Sequence, residues 1–322
     1  MITGICPPKV SVIIPIYKVE DCLSYCLDSC KAQNLFDVEF ICVDDGSPDA
    51  CGEIAEKYAA EDYRFRVIHQ ENKGLSGARN TGIRASKGDL IMFLDSDDCL
   101  ESWACSKIWE QTMHHPADII VFGSDLFPKY FRADKWLWWT LSPRKRYYDG
   151  FTPSILFDEI GSMPFVWRQA FRRSLLDQSG VMFDESVRYG EDVIFQMEIF
   201  PYARFFSYIN ERAYCYRWNR SDSLMNEVKK NYDDRLEKLI TVVDHTAVFW
   251  NERGLMEQYG APYLDWALEY ILSEMVKFQY NDLKGLAQQF QSVLESQQVL
   301  KYRGSISLKG RRRFRQLESL CR

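Results

Sequence analysis

The sequence predicts an α/β fold: a mostly parallel central sheet with helices on both faces, followed by a helical C-terminal region. Three observations carry this. Strand-like and helix-like stretches alternate through the first third of the chain, the mark of repeated strand-helix-strand units. Leu90-Ile-Met-Phe-Leu94 is apolar without interruption, as in a strand buried on both faces. From about Glu227 to Gln298 the pattern is helical, with few Gly and Pro.

In chain order, Val10 to Ile16 reads as a strand that ends near Pro15. Asp21 to Gln33 reads as an amphipathic helix, because Cys22, Cys26 and Cys30 recur at i, i+4 and i+8 and form one apolar stripe with Val19, Leu23 and Leu27. That spacing makes these cysteines core residues rather than zinc ligands, which come as closely spaced pairs with a second pair elsewhere. Val38 to Val43 is a second strand and Asp49 to Ala60 a second helix. Arg66 to His69 is a short strand, Ser76 to Ser86 a third helix, Leu90 to Leu94 the central strand and Ile119 to Phe122 a candidate fifth strand. Residues 124–165 read as irregular and rich in Trp, Tyr and Pro, and 167–225 as a mixture of short helices and strands.

A chain of 322 residues exceeds the roughly 250–300 that one hydrophobic core supports, so a large domain with an appendage is expected. The division expected is a domain over 1–225, with a ligand-binding first half (about 9–115) and a second half (about 116–225), then a helical region over 226–322. The net charge of −6 argues against a general nucleic-acid binder. The charge is uneven. Residues 301–322 hold eight basic residues (Lys301, Arg303, Lys309, Arg311, Arg312, Arg313, Arg315 and Arg322) and one acid, Glu318, so the tail is +7 and the rest −13. A basic tail on an acidic body is either the site of an anionic surface partner or a solvated helix end. No run of about 18 apolar residues suggests a membrane span, and the N-terminus shows no secretory pattern. Ten cysteines without a signal point to reduced thiols in a cytosol.

Ligands of open parallel sheets bind beyond the carboxyl ends of the strands. Three predicted strands end in polar chemistry: Pro15-Ile16-Tyr17, Asp44-Asp45-Gly46-Ser47 and Asp95-Ser96-Asp97-Asp98. These ends should lie side by side on one rim. Carboxylates crowded at a buried strand end repel one another unless a cation joins them, and oxygen-only ligands select Mg2+ or Mn2+, metals that keep open positions for phosphates. The glycine-rich stretch Gly74 to Gly82 either presents backbone N–H groups to an anion or lets a helix pack tightly on the sheet.

Taken together, Val12-Ile-Ile-Pro-Ile-Tyr17, Val43-Asp-Asp-Gly-Ser47, Asn72-Lys-Gly74, Gly77-Ala-Arg-Asn80 and Phe93-Leu-Asp-Ser-Asp-Asp98 resemble the nucleotide-sugar half of the family 2 inverting glycosyltransferases of the GT-A fold, in the order and at the spacing of that family over about residues 9–115. The resemblance implies that Pro15 and Tyr17 line the base and ribose pocket, that Asp44 or Asp45 reads the pyrimidine edge with Lys73 beside it, and that Asn80 and Ser96 belong to the donor-binding set. It implies that Asp95 touches the ribose and that Asp97, with Asp95, holds a metal bound to the diphosphate. Tyr189-Gly-Glu-Asp192-Val-Ile-Phe195 is similar to the family's Glu-Asp motif, which makes Asp192 the catalytic base. Val166 to Arg173 resembles a stretch that precedes that motif in bacterial members, which commonly have Lys near Gln169; this chain departs there. Arg217 or Arg220 either closes over the diphosphate or is a surface charge.

The reaction expected is a single in-line displacement at the anomeric carbon. The acceptor expected is a glycan or lipid-linked glycan, in the cytoplasm or peripherally at the inner face of the membrane. Phe131, Trp136, Trp138, Trp139, Tyr147 and Tyr148 form either an acceptor platform or an aromatic lid. Two other classes stand beside this reading. A sugar nucleotidyltransferase shares the carboxylate logic but needs a Gly-rich basic loop after the first strand, where this chain has Ile16-Tyr-Lys-Val-Glu20. A non-catalytic nucleotide-sugar-binding subunit would tolerate loss of the metal and base carboxylates, and both are present.

Overall fold

The computed structural model describes residues 7–127, 135–159, 162, 164–218 and 231–322, with only the backbone of Trp136. In chain order the first elements are β1 (Val10–Ile16), α1 (Glu20–Lys31), β2 (Val38–Asp44), α2 (Cys51–Glu61), β3 (Phe65–His69), α3 (Gly74–Ala85), β4 (Leu90–Phe93), β5 (Cys99–Leu100) and α4 (Ala104–His114). There follow β6 (Ile119–Phe127), α5 (Lys135–Thr140), β7 (Arg146–Asp149), α6 (Pro153–Phe157), β8 (Gln169–Arg172), α7 (Arg173–Ser179), α8 (Glu191–Ile199) and β9 (Phe205–Arg217). The last are α9 (Tyr232–Glu252), α10 (Leu255–Met275), α11 (Leu283–Ser296) and α12 (Leu308–Leu320).

The strands form one nine-stranded sheet in the order β3-β2-β1-β4-β8-β6-β9-β5, with β7 also on β9. Strands β1 to β4 are mutually parallel. Strand β8 runs against β4, β6 against β8, β9 with β6, and β5 and β7 against β9. Six strands therefore point one way and three the other, so the sheet is mostly parallel, as the alternating pattern predicts. Alternate side chains of β2 explain the helices on both faces. Phe40 and Cys42 enter the core with Leu23, Cys26, Leu27 and Cys30 of α1 and Cys51 and Ala55 of α2, whereas Ile41 and Val43 meet Ala78 of α3 on the other side. Gly82 brings α3 directly onto β1, since a β-carbon there would collide with Ile13. The cysteine stripe of α1 is core: Cys26 and Cys30 are fully buried free thiols.

The structure departs from the sequence expectation downstream of the fourth strand. The fifth strand continues five residues past Phe122, to Phe127, and the stretch read as irregular contains α5, β7 and α6. The thirteen-residue β9 is masked in the sequence by Asn210, Glu211 and Arg212 in its middle, which interrupt the apolar alternation.

By internal contacts the chain divides into two compact units. The first comprises Met1–Thr152, Glu159–Arg188 and Ile199–Trp218; the second comprises Pro153–Asp158, Tyr189–Glu198 and Asn219–Arg322. The second unit has its own core, in which Met197 from α8 joins Leu239, Val243 and Trp250 of α9, Leu264 and Leu268 of α10, Phe290 of α11 and Leu317 of α12. Trp250 Nε1 donates to the Met197 carbonyl at 2.9 Å, and Phe157 of α6 stacks on Trp266. Among the described residues no helix is long and apolar enough to cross a membrane.

Candidate active site

The three strand ends singled out in the sequence do lie side by side. Strand β1 sits between β2 and β4, and all three run parallel. The β1–β4 ladder stops at Ile13↔Phe93. Pro15 lies just beyond it, where its missing N–H disrupts no pairing with β4, and Tyr17 emerges 43% exposed on the rim. The backbone turns sharply here: Lys18 takes a positive φ of 53°, and its N–H donates to Ser47 Oγ at 2.8 Å.

The β2 end is held from within. Asp44 is buried. Its Oδ1 accepts the Ser47 N–H at 3.0 Å and its Oδ2 faces His69 Nδ1 at 2.8 Å, while His69 Nε2 faces Glu56 at 2.9 Å. The Asp44 bond, then the Glu56 bond, raise the His69 pKa above its ordinary value. Asp45 is also buried. Its Oδ1 accepts Gln70 Nε2 (2.7 Å) and the Lys73 N–H (2.8 Å), and its Oδ2 accepts the Gly74 N–H (2.8 Å). Asp45 thereby satisfies donors at the start of α3 and presents the exposed Lys73 side chain. Gly46 is required between this loop and residues 70–72: at φ +67° a β-carbon would press on Gln70 O and Asn72 N.

The β4 end carries the acidic cluster, and its three aspartates have different surroundings. Asp95 keeps 27% side-chain exposure and pairs with the buried Arg79 at 3.1 Å. Ser96, next to it, is buried. Asp98 is buried: Tyr214 Oη donates to it at 2.6 Å and the Arg217 N–H at 2.6 Å. Burial first, then the charges of Asp97 and Asp95, push its carboxyl well above the usual range. Tyr214 Oη also accepts the Asp95 N–H at 3.2 Å, so one tyrosine from β9 ties both flanks of the motif. Arg217 Nε donates to the Asp97 carbonyl at 2.6 Å, and its guanidinium lies over Tyr25 and Phe127 at 5.3 and 5.0 Å. Sequence reasoning assigned no role to Arg79, which lies in one of the quoted motifs, or to Tyr214, and missed this backbone role of Arg217. These pairings have no local signal, since the partners stand 16, 116 and 120 residues away in sequence.

Asp95 and Asp97 are the residues of this end that could hold a divalent ion. The hard oxygens of Asp95 and Asp97 adjoin an excess of negative charge, and Asp98 is engaged by the protein. Among the described residues no three His, Cys, Asp or Glu converge as a metal cage.

Asn80 has a different place from the one the sequence reading gave it. It is buried in α3, donates to the Phe183 carbonyl and Glu185, and accepts the Phe183 N–H, each at 2.9 Å. Both its N–H donors are engaged, so it fastens the 183–185 loop to α3 rather than offering a donor to a nucleotide.

Asp192 stands half-buried in the first turn of α8 in the second unit, where the positive end of the helix favours carboxylates. Gly190 precedes it at φ +86°, with room for no β-carbon against Val242. Gln169 is a buried residue of β8. In the aromatic segment, Trp138 and Trp139 are 43% and 67% exposed. Arg212 lies over the Trp138 ring at 4.1 Å, and Tyr148 donates to Glu159 at 2.6 Å. Phe131, the Trp136 side chain and Arg220 lie outside the described residues.

Comparison with known proteins bears on the family and the fold. The family model described as Glycosyl transferase family 2 matches residues 11–175. Glycosyltransferase EpsJ of Bacillus subtilis (strain 168) is 34% identical, over 77% of this chain and 71% of that protein. A poly(ribitol-phosphate) beta-glucosyltransferase of Bacillus spizizenii is 27% identical over 73% of this chain, which spans 37% of that longer protein. A crystal structure of S. aureus TarS, residues 1–349, in complex with UDP-GlcNAc superposes with a TM-score of 0.69 at 20% identity, covering 97% of this chain and 90% of that one. At that identity the likeness establishes the fold, GT-A.

Proposed function

This chain belongs to glycosyl transferase family 2, and from that premise we propose that it moves a hexose from a uridine diphosphate sugar to a hydroxyl of a glycan or lipid-linked glycan, inverting the anomeric carbon and requiring Mg2+ or Mn2+. The observation that carries the reading is the single rim formed by the ends of β2, β1 and β4, which brings Tyr17 and Asp44–Asp45 to the same edge of the sheet as Asp95 and Asp97. The UDP-GlcNAc complex of TarS supports the uridine donor, and the poly(ribitol-phosphate) relative supports a polymer acceptor.

In this reading Pro15 and Tyr17 flank the base, and Asp44 or Asp45 accepts from the pyrimidine edge, each keeping a lone pair beyond its internal bonds. Lys73 and Ser96 line the same pocket. Asp95 contacts the ribose, oriented by Arg79. Asp97, with Asp95 beside it, would hold the ion, which neutralises charge on the departing diphosphate when bound. Asp192 takes the proton from the attacking hydroxyl, on the resemblance of its motif. The aromatic faces of Trp138 and Trp139 offer stacking surface to acceptor sugars. The enzyme works at the inner face of the membrane as a peripheral protein.

The test is a panel of labelled nucleotide sugars, with and without glycan acceptors. Turnover is expected from a UDP-sugar, abolished by chelator and restored by Mg2+ or Mn2+. Full activity in excess chelator overturns the metal assignment. Release of pyrophosphate from a nucleoside triphosphate and a sugar phosphate would instead favour a nucleotidyltransferase.

A further inference from the structure

The helical unit ends in a cleft of about 530 Å³ in which Arg303, Arg311, Arg312 and Arg315 surround Leu308 and Phe314. The acids of the neighbouring helix do not line it. Asp265 of α10 accepts the Ser307 N–H and hydroxyl at the start of α12. Glu269 pairs with Lys309 at 3.2 Å and with Arg313 at 3.0 Å. Leu317 is buried in the unit's core. These contacts fix α12 by one side and use two of its basic groups. The four cleft arginines make no ion pair among the described residues. Leu308 projects among them at 78% exposure, a large apolar side chain with no cover.

Arg311 and Arg315 donate only to backbone carbonyls, of Ile306, Gly304 and Arg311, and an exposed apolar residue beside four arginines that hold no acid, on an anchored helix, suits a surface that is negatively charged outside and apolar within. Long arginine side chains can stay with headgroups while their stems lie along the apolar boundary. A free phosphate would satisfy the charges but leave Leu308 in water. We propose that this face of α12 is an anionic-lipid docking surface, with Arg303, Arg311, Arg312 and Arg315 meeting headgroups and Leu308 inserting. The proposal deepens the reading of a lipid-linked acceptor, but its observations belong to the helical unit alone.

The test is co-sedimentation of the full chain with vesicles of phosphatidylcholine, with and without 30% phosphatidylglycerol. The protein is expected to pellet only with the anionic vesicles, and to be released by salt. Each arginine contributes roughly five-fold to partitioning, so Arg311→Gln/Arg312→Gln/Arg315→Gln should weaken it on the order of a hundred-fold. Leu308→Ser should weaken it at unchanged charge. Lys57→Gln/Lys87→Gln/Lys145→Gln, which removes three charges elsewhere, should bind as the parent does. Circular dichroism should report the same fold for all. Equal loss in both triple variants means net charge alone is sensed and overturns the proposal, as does full binding by the α12 triple. Displacement by millimolar inorganic phosphate at constant ionic strength would identify a discrete phosphate site instead. Loss of vesicle binding with transfer to a soluble acceptor intact separates this surface from the chemistry; loss of transfer with docking intact counts against the catalytic reading only.

Discussion

Asp97 and Asp192 should fail differently when each is made neutral. Asp97→Asn removes a hard anionic ligand, so calorimetry with UDP and Mn2+ should show weakened donor and metal binding. Asp192→Asn keeps shape but removes the basic site, so turnover should fall by roughly 10²–10⁴ while UDP binding persists. Near-normal turnover in Asp192→Asn would place the base elsewhere. His69 gives a pH signature. Its partners Asp44 and Glu56 raise its folded pKa above the unfolded value near 6.5. Its stabilisation is therefore complete below that unfolded value and fades as pH rises through the higher folded one. The ring is half exposed, so the effect is small. His69→Gln should flatten urea-measured stability across this window, and an unchanged curve would count against the pairing.

Among the elements, α3 shows how a side chain from another element can hold the start of a helix. Its N-cap, Lys73, makes no side-chain cap bond; Asp45, from the end of β2, supplies the acceptor instead. Asp45→Ala leaves the Lys73 and Gly74 N–H groups and the Gln70 amide without their acceptor, a loss of about 1–3 kcal/mol. Both thermal stability and donor affinity should drop. Tyr17→Ala, at an exposed rim position, should lower donor affinity with stability nearly unchanged. If Asp45→Ala weakens the donor without lowering the melting temperature, its carboxylate serves the ligand and not the helix. The sequence pointed to Asp45 for its chemistry; its role as a remote cap needed the fold, because the donors lie 25 to 29 residues away.

For the whole molecule, the two cores make separate demands. Trp250 is fully buried in the helical unit, and Trp250→Ala should cost about 3–5 kcal/mol by leaving a cavity and an unpaired Met197 carbonyl. Calorimetric unfolding checks this, and a loss under 1 kcal/mol would contradict the packing described. The sequence by itself determined the parallel block, because strands buried on both faces announce themselves as unbroken apolar runs and a proline or aspartate marks where each stops. It determined the family's motifs for the same reason: the rim residues directly follow their strands. Only the tertiary structure decided the antiparallel half, where β9 pairs through a charged middle that hides its alternation. Only it showed that Asn80 fastens a loop, that Asp98 is gripped by Tyr214, and that α8, with Asp192, belongs to the helical unit. These depend on contacts between residues tens to more than a hundred positions apart, and hydrophobic periodicity is a local signal that carries no record of which surfaces meet.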